Sequence, residues 1–446
     1  MREDYQTLVD DVSASLGTPA TLEDRDFTLI AFAAHEGDEE RGPDADLDQV
    51  RTRTILQRRS TAAVRKWFEN FGITRAREPV RIPPDPAAGV RTGRLCLPVR
   101  HGGVVYGYVW LLDDGALDLR DPRVARAQHT ATRIGALLAA EAQAGAHAGA
   151  LLRELLTGPA AGRARAAEEL RTTLGATLEG PLAVVAVSPW EASETAPDTG
   201  TLTSPGGGPA ALPGVAAHCL VPGAGGTRTG DGLDQASGTA GGSGSGATGA
   251  AEAKTAGGAL AVLTRLRAAA VLAPAHAVGR RLLGLPPSDD VGPAARPASP
   301  ERSPGPSRLA AGIGTVRGEL AATAHTAWRE ALVAARAAAA EPERFGSVAE
   351  WADIGPYRLL GRLPADAAPD PSVRELLEPA HREMARTAEA FLDRAGQAGR
   401  TAADLGIHRQ TLYYRLGRVE RLTGLDLDDG ADRLLLHVAL KAARLS

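Results

Sequence analysis

Between Arg400 and Gly424 the sequence gathers side chains suited to reading a nucleic acid. Arg409 carries a planar fork of donors that matches guanine O6 and N7, and the neighbouring Gln410 can pair with adenine. His408, Tyr414, Arg415 and Arg418 add donors, positive charge and an aromatic surface on the same run. Arg400, Thr401, Thr411 and Tyr413 suit phosphate oxygens, whose contacts set register and supply salt-dependent affinity. Double-stranded DNA is the partner this chemistry calls for.

Such side chains work only on two helices crossing at a fixed angle. A helix-turn-helix needs a small residue at the crossing, and Ala402 supplies it. It needs a residue tolerant of positive φ four positions on, and Gly406 stands there. Leu405, Ile407, Leu412, Leu416 and Val419 then form the apolar stripe that would seat the second helix on the first. The start of that second helix is the part that enters the major groove. In an alanine-rich chain this spacing also arises by chance, so a protein-interaction module stays open on spacing alone.

The run His408-Arg409-Gln410-Thr411-Leu412-Tyr413-Tyr414-Arg415-Leu416, then Arg418-Val419-Glu420 and Leu422-Thr423-Gly424-Leu425-Asp426-Leu427, resembles the C-terminal domain of PucR-type regulators. Their usual form has Asn where this chain has Gln410, a change that would alter base preference rather than abolish binding. Upstream, Gly312-Ile313-Gly314 with the helix carrying Ala327, Trp328, Ala331 and Ala335 is similar to the degenerate GGDEF-like domain of sugar-diacid regulators. So is Ile354-Gly355-Pro356-Tyr357-Arg358-Leu359-Leu360. The resemblance implies a ligand-responsive transcriptional regulator without catalytic activity.

The rest of the chain must carry and control that domain. Residues 1–145 read as an α/β unit: a helix on Tyr5, Leu8, Val9, Val12 and Leu16, a strand at Phe27–Phe32, a charged loop from His35 to Asp46, and a helix over Leu47–Phe71. A hairpin turning at Gly102-Gly103 and a helix over Pro122–Glu141 follow, an order expected of a PAS/GAF-like sensor. Tyr106, Tyr108 and Trp110 alternate along a strand and could line a pocket or fill a core; Arg51, Arg53, Arg58 and Arg59 read as a solvated face or as partners for a carboxylate effector. Residues 150–365 read as a second α/β domain, the degenerate GGDEF-like one, with residues 191–257 as a disordered insertion because Gly, Ala, Ser, Thr and Pro offer no core. Gly312-Ile313-Gly314 reads as a plain strand-to-turn. Residues 372–446 read as all-α.

Other chemistry is poorly supported. No Gly-Gly-[Asp/Glu]-Glu-Phe turn exists for a cyclase, and Gly223-Ala224-Gly225-Gly226-Thr227 lacks the Lys-Ser/Thr of a phosphate loop. The ten histidines show no ligand spacing, and Cys96 and Cys219 read as two lone thiols. No catalytic residue, cofactor or metal is expected. A cyclase-like enzyme with an appended DNA-binding domain remains the rival from another class. The net charge of −4 means that any attraction to DNA must be local. With no leader-like start and no apolar run of about 18 residues, the expectation is a cytoplasmic protein with no membrane contact. An unknown small-molecule effector is expected, as is a homodimer or higher homo-oligomer, because one reading helix covers too few base pairs.

Overall fold

A computed structural model describes residues 2–33, 49–113, 115–190, 212–222, 258–286, 309–362 and 369–445. These form two compact units, one comprising residues 2–147 and the other residues 148–445.

In the first unit, helix α1 (Arg2–Leu16) buries Tyr5, Leu8, Val9, Val12 and Leu16, the stripe its periodicity requires. Strands β1 (Ala20–Asp24) and β2 (Leu29–Ala33) follow, then α2 (Gln49–Gln57), α3 (Ala62–Glu69), β3 (Val80–Ile82), β4 (Arg94–His101) and β5 (Val104–Leu112). The sheet order is β2-β1-β5-β4-β3, antiparallel throughout. Gly102 and Gly103 both take positive φ in the β4–β5 hairpin. Alternation along the strands separates two cores. Leu95, Leu97 and Val99 pack with α1 and with Val124, Ala127, Ala131 and Ile134 of α4 (Pro122–Thr157), while Cys96 joins Phe27, Phe68, Tyr108 and Trp110 in an aromatic layer.

Three expectations need correction here. The single strand at Phe27–Phe32 is a hairpin, with Phe27 itself at φ 61 between β1 and β2. The helix over Leu47–Phe71 is broken between α2 and α3, where Arg58 takes φ 56. Periodicity does not register a left-handed non-glycine residue. Conversely, the helix read at Pro122–Glu141 runs on to Thr157 as one 36-residue helix, because the alanine-rich stretch beyond Glu141 keeps helical propensity despite Gly145 and Gly149. The loop from His35 to Asp46 lies outside the described residues.

The second unit continues with α5 (Ala160–Leu174), β6 (Leu182–Trp190), β7 (Val215–Val221), β8 (Gly258–Arg265), α6 (Ala273–Leu282), β9 (Ala310–Thr315), α7 (Leu320–Ala340), α8 (Pro342–Phe345), β10 (Val348–Glu350) and α9 (Tyr357–Leu360). Its sheet runs β10-β9-β6-β8-β7, with only β10 and β9 parallel. Strand β7 corrects the reading of residues 191–257 as one disordered tract. It is the edge strand next to β8, with Ala217 and Cys219 buried in alternation and Val221 opposite Ala259. Seven residues between glycine-rich flanks were too short a signal to separate from their surroundings. The remainder of that tract, 191–211 and 223–257, lies outside the described residues.

Gly312 and Gly314 also depart from the strand-to-turn reading, since both lie within β9. A Cβ at Gly312 would stand 2.1 Å from Ala331 O, and one at Gly314 2.0 Å from Ala327 O. The strand therefore lies directly against the backbone of α7, whose Ala324, Ala327, Ala331, Ala334 and Ala335 are all buried. A chain poor in aromatics builds this core from close approach rather than from large side chains.

Among the described residues, Cys96 and Cys219 are buried free thiols and no group of three His, Cys, Asp or Glu side chains could hold a metal. No helix of the described residues is long and apolar enough to cross a membrane.

Candidate nucleic-acid interface

The last four helices, α10 (Arg382–Asp393), α11 (Ala398–Leu405), α12 (Arg409–Thr423) and α13 (Gly430–Ala443), enclose a core of Ala388, Phe391, Ala402, Leu412, Leu416, Val419, Leu436 and Leu440. Gly406 ends α11 in the left-handed conformation at φ 64, and Ile407 N–H then returns to Ala402 O at 3.0 Å. Leu405 and Ile407 are half-buried against the same core. His408 begins α12, with its Nδ1 accepting from Gln410 N–H at 3.3 Å. That bond assigns His408 to capping.

At 100° per residue, the buried stripe Leu412, Leu416 and Val419 leaves Gln410, Tyr414, Arg418 and Arg421 on the opposite side. All four are exposed, Tyr414 at 66%. Arg409 and Tyr413 lie to one flank: the Arg409 guanidinium sits 5.7 Å from the Tyr413 ring centroid, and its Nη2 donates to Tyr413 Oη at 3.3 Å. Arg400 and Thr411 are exposed as well.

Two of the sequence candidates are placed otherwise. Thr401 is fully buried and its hydroxyl donates to Gln397 O at 3.0 Å, so its side chain faces the domain interior. Arg415 is only 18% exposed and pairs with Glu383 of α10 at 2.6 Å, bracing α12 against its neighbour. Arg421, which is not among the sequence candidates, is placed on the outward stripe by the helical angle.

The end of the run has a local structural purpose. Glu420 Oε1 accepts from Leu427 N–H at 3.1 Å, and the buried Thr423 hydroxyl donates to Val419 O at 2.9 Å. Gly424 takes φ 71, and Asp429 caps α13 by accepting from Ala431 N–H and Asp432 N–H. These residues shape the turn after α12.

The profile of the PucR C-terminal helix-turn-helix domain matches residues 384–442. Residues 384–442 are a PucR-type helix-turn-helix domain. The transcriptional activator PmfR of Paenarthrobacter nicotinovorans is 41% identical over 85 residues, which are 19% of this chain and 16% of that protein. The carbohydrate diacid regulator of Escherichia coli (strain K12) is 50% identical over 58 residues, 13% of this chain and 15% of that one. An uncharacterized protein in the pkwA 5' region of Thermomonospora curvata is 44% identical over 59 residues, 13% of this chain and 33% of its own length. The chain thus spans a third or less of each of these relatives.

Proposed function

We propose that this protein is a DNA-binding transcriptional regulator whose PucR-type domain reads the major groove with α12. The observation that carries this is the outward stripe of Gln410, Tyr414, Arg418 and Arg421, flanked by Arg409 and seated on a buried apolar stripe. Arg409 and Gln410 are the proposed base readers. Arg400, Thr411, Tyr413, Tyr414 and Arg418 are the proposed backbone contacts, and His408 and Arg415 hold the helix in place. The relatives that share the domain carry the names of a transcriptional activator and a carbohydrate diacid regulator, which supports the same reading. Electrophoretic shift of duplexes from the neighbouring intergenic regions tests it. Arg409→Ala and Gln410→Ala should abolish the specific shift; an unchanged shift would refute the recognition-helix assignment, and no shift with any duplex would favour a protein-interaction module.

The remaining parts fit a sensing role. The antiparallel order β2-β1-β5-β4-β3, with one aliphatic and one aromatic face, supports a PAS/GAF-like sensor over residues 1–145. In the second sheet, β6 to β9 stand in the order β9-β6-β8-β7 with antiparallel neighbours, the pattern of a split βαβ fold. That supports a GGDEF-like scaffold over residues 150–365, and the lack of a Gly-Gly-[Asp/Glu]-Glu-Phe sequence supports one without cyclase activity. The full regulator would act in the cytoplasm as a homodimer responding to a small effector. GTP turnover by the full chain would overturn the non-enzymatic reading.

A further inference from the structure

Lys441, near the end of α13, is only 3% exposed, yet its ammonium is held by three carboxylates. Glu341 Oε1 lies at 2.6 Å, Glu389 Oε1 at 3.0 Å and Asp393 Oδ2 at 2.9 Å. Glu389 and Asp393 belong to α10 of the PucR-type domain, whereas Glu341 stands between α7 and α8 of the α/β part. The other groups around them extend the junction. Tyr357 at the start of α9 donates its hydroxyl to Glu341 at 2.8 Å, and Arg444 donates to Glu389 at 2.7 Å and to Ala340 O at 3.3 Å. His437 Nε2 stands 2.9 Å from Asp393 Oδ1. Ala442 and Leu445 pack on the apolar cluster of Val333, Ala337, Tyr357 and Leu360 beside this network.

Burying an ammonium is costly unless its donors are all used, and three charge-assisted bonds use them. Burial pushes the Lys441 ammonium down, but Glu341, Asp393 and Glu389 outweigh it and leave it above its ordinary range. Burial likewise pushes the Glu341 carboxyl up, and hydrogen bonds from Lys441 and Tyr357 bring it below its ordinary value. Lys441 and Glu341 are therefore both charged around neutral pH.

We propose that Lys441 is an interdomain latch through which the α/β part sets the attitude of the DNA-reading helix. The physical chain is continuous. Glu341 at the end of α7 holds Lys441, Lys441 holds Glu389 and Asp393 on α10, and Glu383 on the same α10 holds Arg415 of α12. A shift of α7 along its axis changes the Glu341 bond first and reaches α12 through α10. Lys441 is in this sense a positioning residue, and the effect on DNA rests on the function proposed above.

The test compares full-length wild type with Glu341→Gln, Glu341→Asp, Lys441→Met and the double variant Glu341→Gln/Lys441→Met. Glu341→Gln keeps the side-chain shape and leaves Lys441 two carboxylates, so it guards against simple unfolding by Lys441→Met. In Glu341→Gln, amide exchange over α9 and α13 should rise together by about tenfold, with α11 and α12 protected as in wild type. Affinity for a labelled duplex should change by about threefold or more. Glu341→Asp should recover part of both effects, and the double variant should match Lys441→Met alone. Unchanged exchange in α9 and α13 would overturn the latch. Loosened exchange with unchanged duplex affinity would overturn its coupling to DNA reading. Failure of wild type to bind any duplex would count against the regulator reading, and the joint exchange of α9 and α13 would still decide whether the latch exists.

Discussion

Arg415 and Arg418 lie three residues apart on one helix, and their neutralisation should have different consequences for DNA affinity. Arg418 is exposed on the outward stripe, whereas Arg415 is turned back onto Glu383. With Arg400, Arg409 and Arg421, Arg418 makes a set of four exposed arginines on the helix-turn-helix. If all four meet phosphates of a nonspecific duplex, log affinity should fall with log salt at a slope of about −3.6 per copy, or about 150-fold from 50 to 200 mM. Arg418→Ala should reduce the slope to about −2.7, or about 40-fold over the same interval. Arg415→Ala should leave the slope near −3.6 and cost about 0–1 kcal/mol of domain stability, because its Glu383 partner is largely exposed. Fluorescence anisotropy with a duplex of arbitrary sequence suffices, since this attraction does not depend on an operator. An equal loss of slope in both variants would refute the bracing role of Arg415. A slope near zero in wild type would refute the basic face altogether.

Three further outcomes follow from the described packing. Glu23 is buried with Trp110 Nε1 donating to it at 3.0 Å; burial pushes its carboxyl up to about 8, against the downward pull of Arg94 and Trp110. The folded state thus holds a proton that the unfolded chain loses near its ordinary value, so stability falls as pH rises towards 8. Glu23→Gln should remove that dependence, and a melting-temperature difference from wild type that stays constant between pH 5 and pH 8.5 would contradict it. Gly314→Ala places a Cβ 2.0 Å from Ala327 O and should destabilise by about 3 kcal/mol or more, whereas Gly145→Ala meets nothing and should stabilise by about 0.5–1 kcal/mol in chemical denaturation. Thr401→Ala should cost about 1 kcal/mol in stability while preserving the DNA salt slope, since its hydroxyl serves only the helix interior; a lower slope would return Thr401 to the interface.

The helix-turn-helix was legible because its demands are local: Ala402, Gly406 and the Leu412, Leu416, Val419 stripe lie within eighteen positions. What lies inside that run was less legible. Thr401 and Arg415 have the right chemistry for phosphate, and only the angle around the helix and the neighbour Glu383 show that they turn inward. Glu420 and Thr423 similarly look available until their bonds to Leu427 and Val419 are seen. In the first unit, Phe27 and Arg58 break elements with positive φ that no residue type announces. The Gly312 and Gly314 contacts are long-range in another sense, since their meaning depends on which helix lies above them. The Lys441 hub was least visible of all, because Glu341 stands 100 positions away.

The register of β7 against β8 has a practical corollary. Val221 and Ala259 face each other across one strand spacing, so whatever chain joins them has only a gap of about 5 Å to close. Doubling the length of such a connection adds only about 0.6 kcal/mol of closure entropy. The join between these strands is therefore a natural port for engineering. A fluorescent protein inserted there would leave the sequence of α11 and α12 untouched.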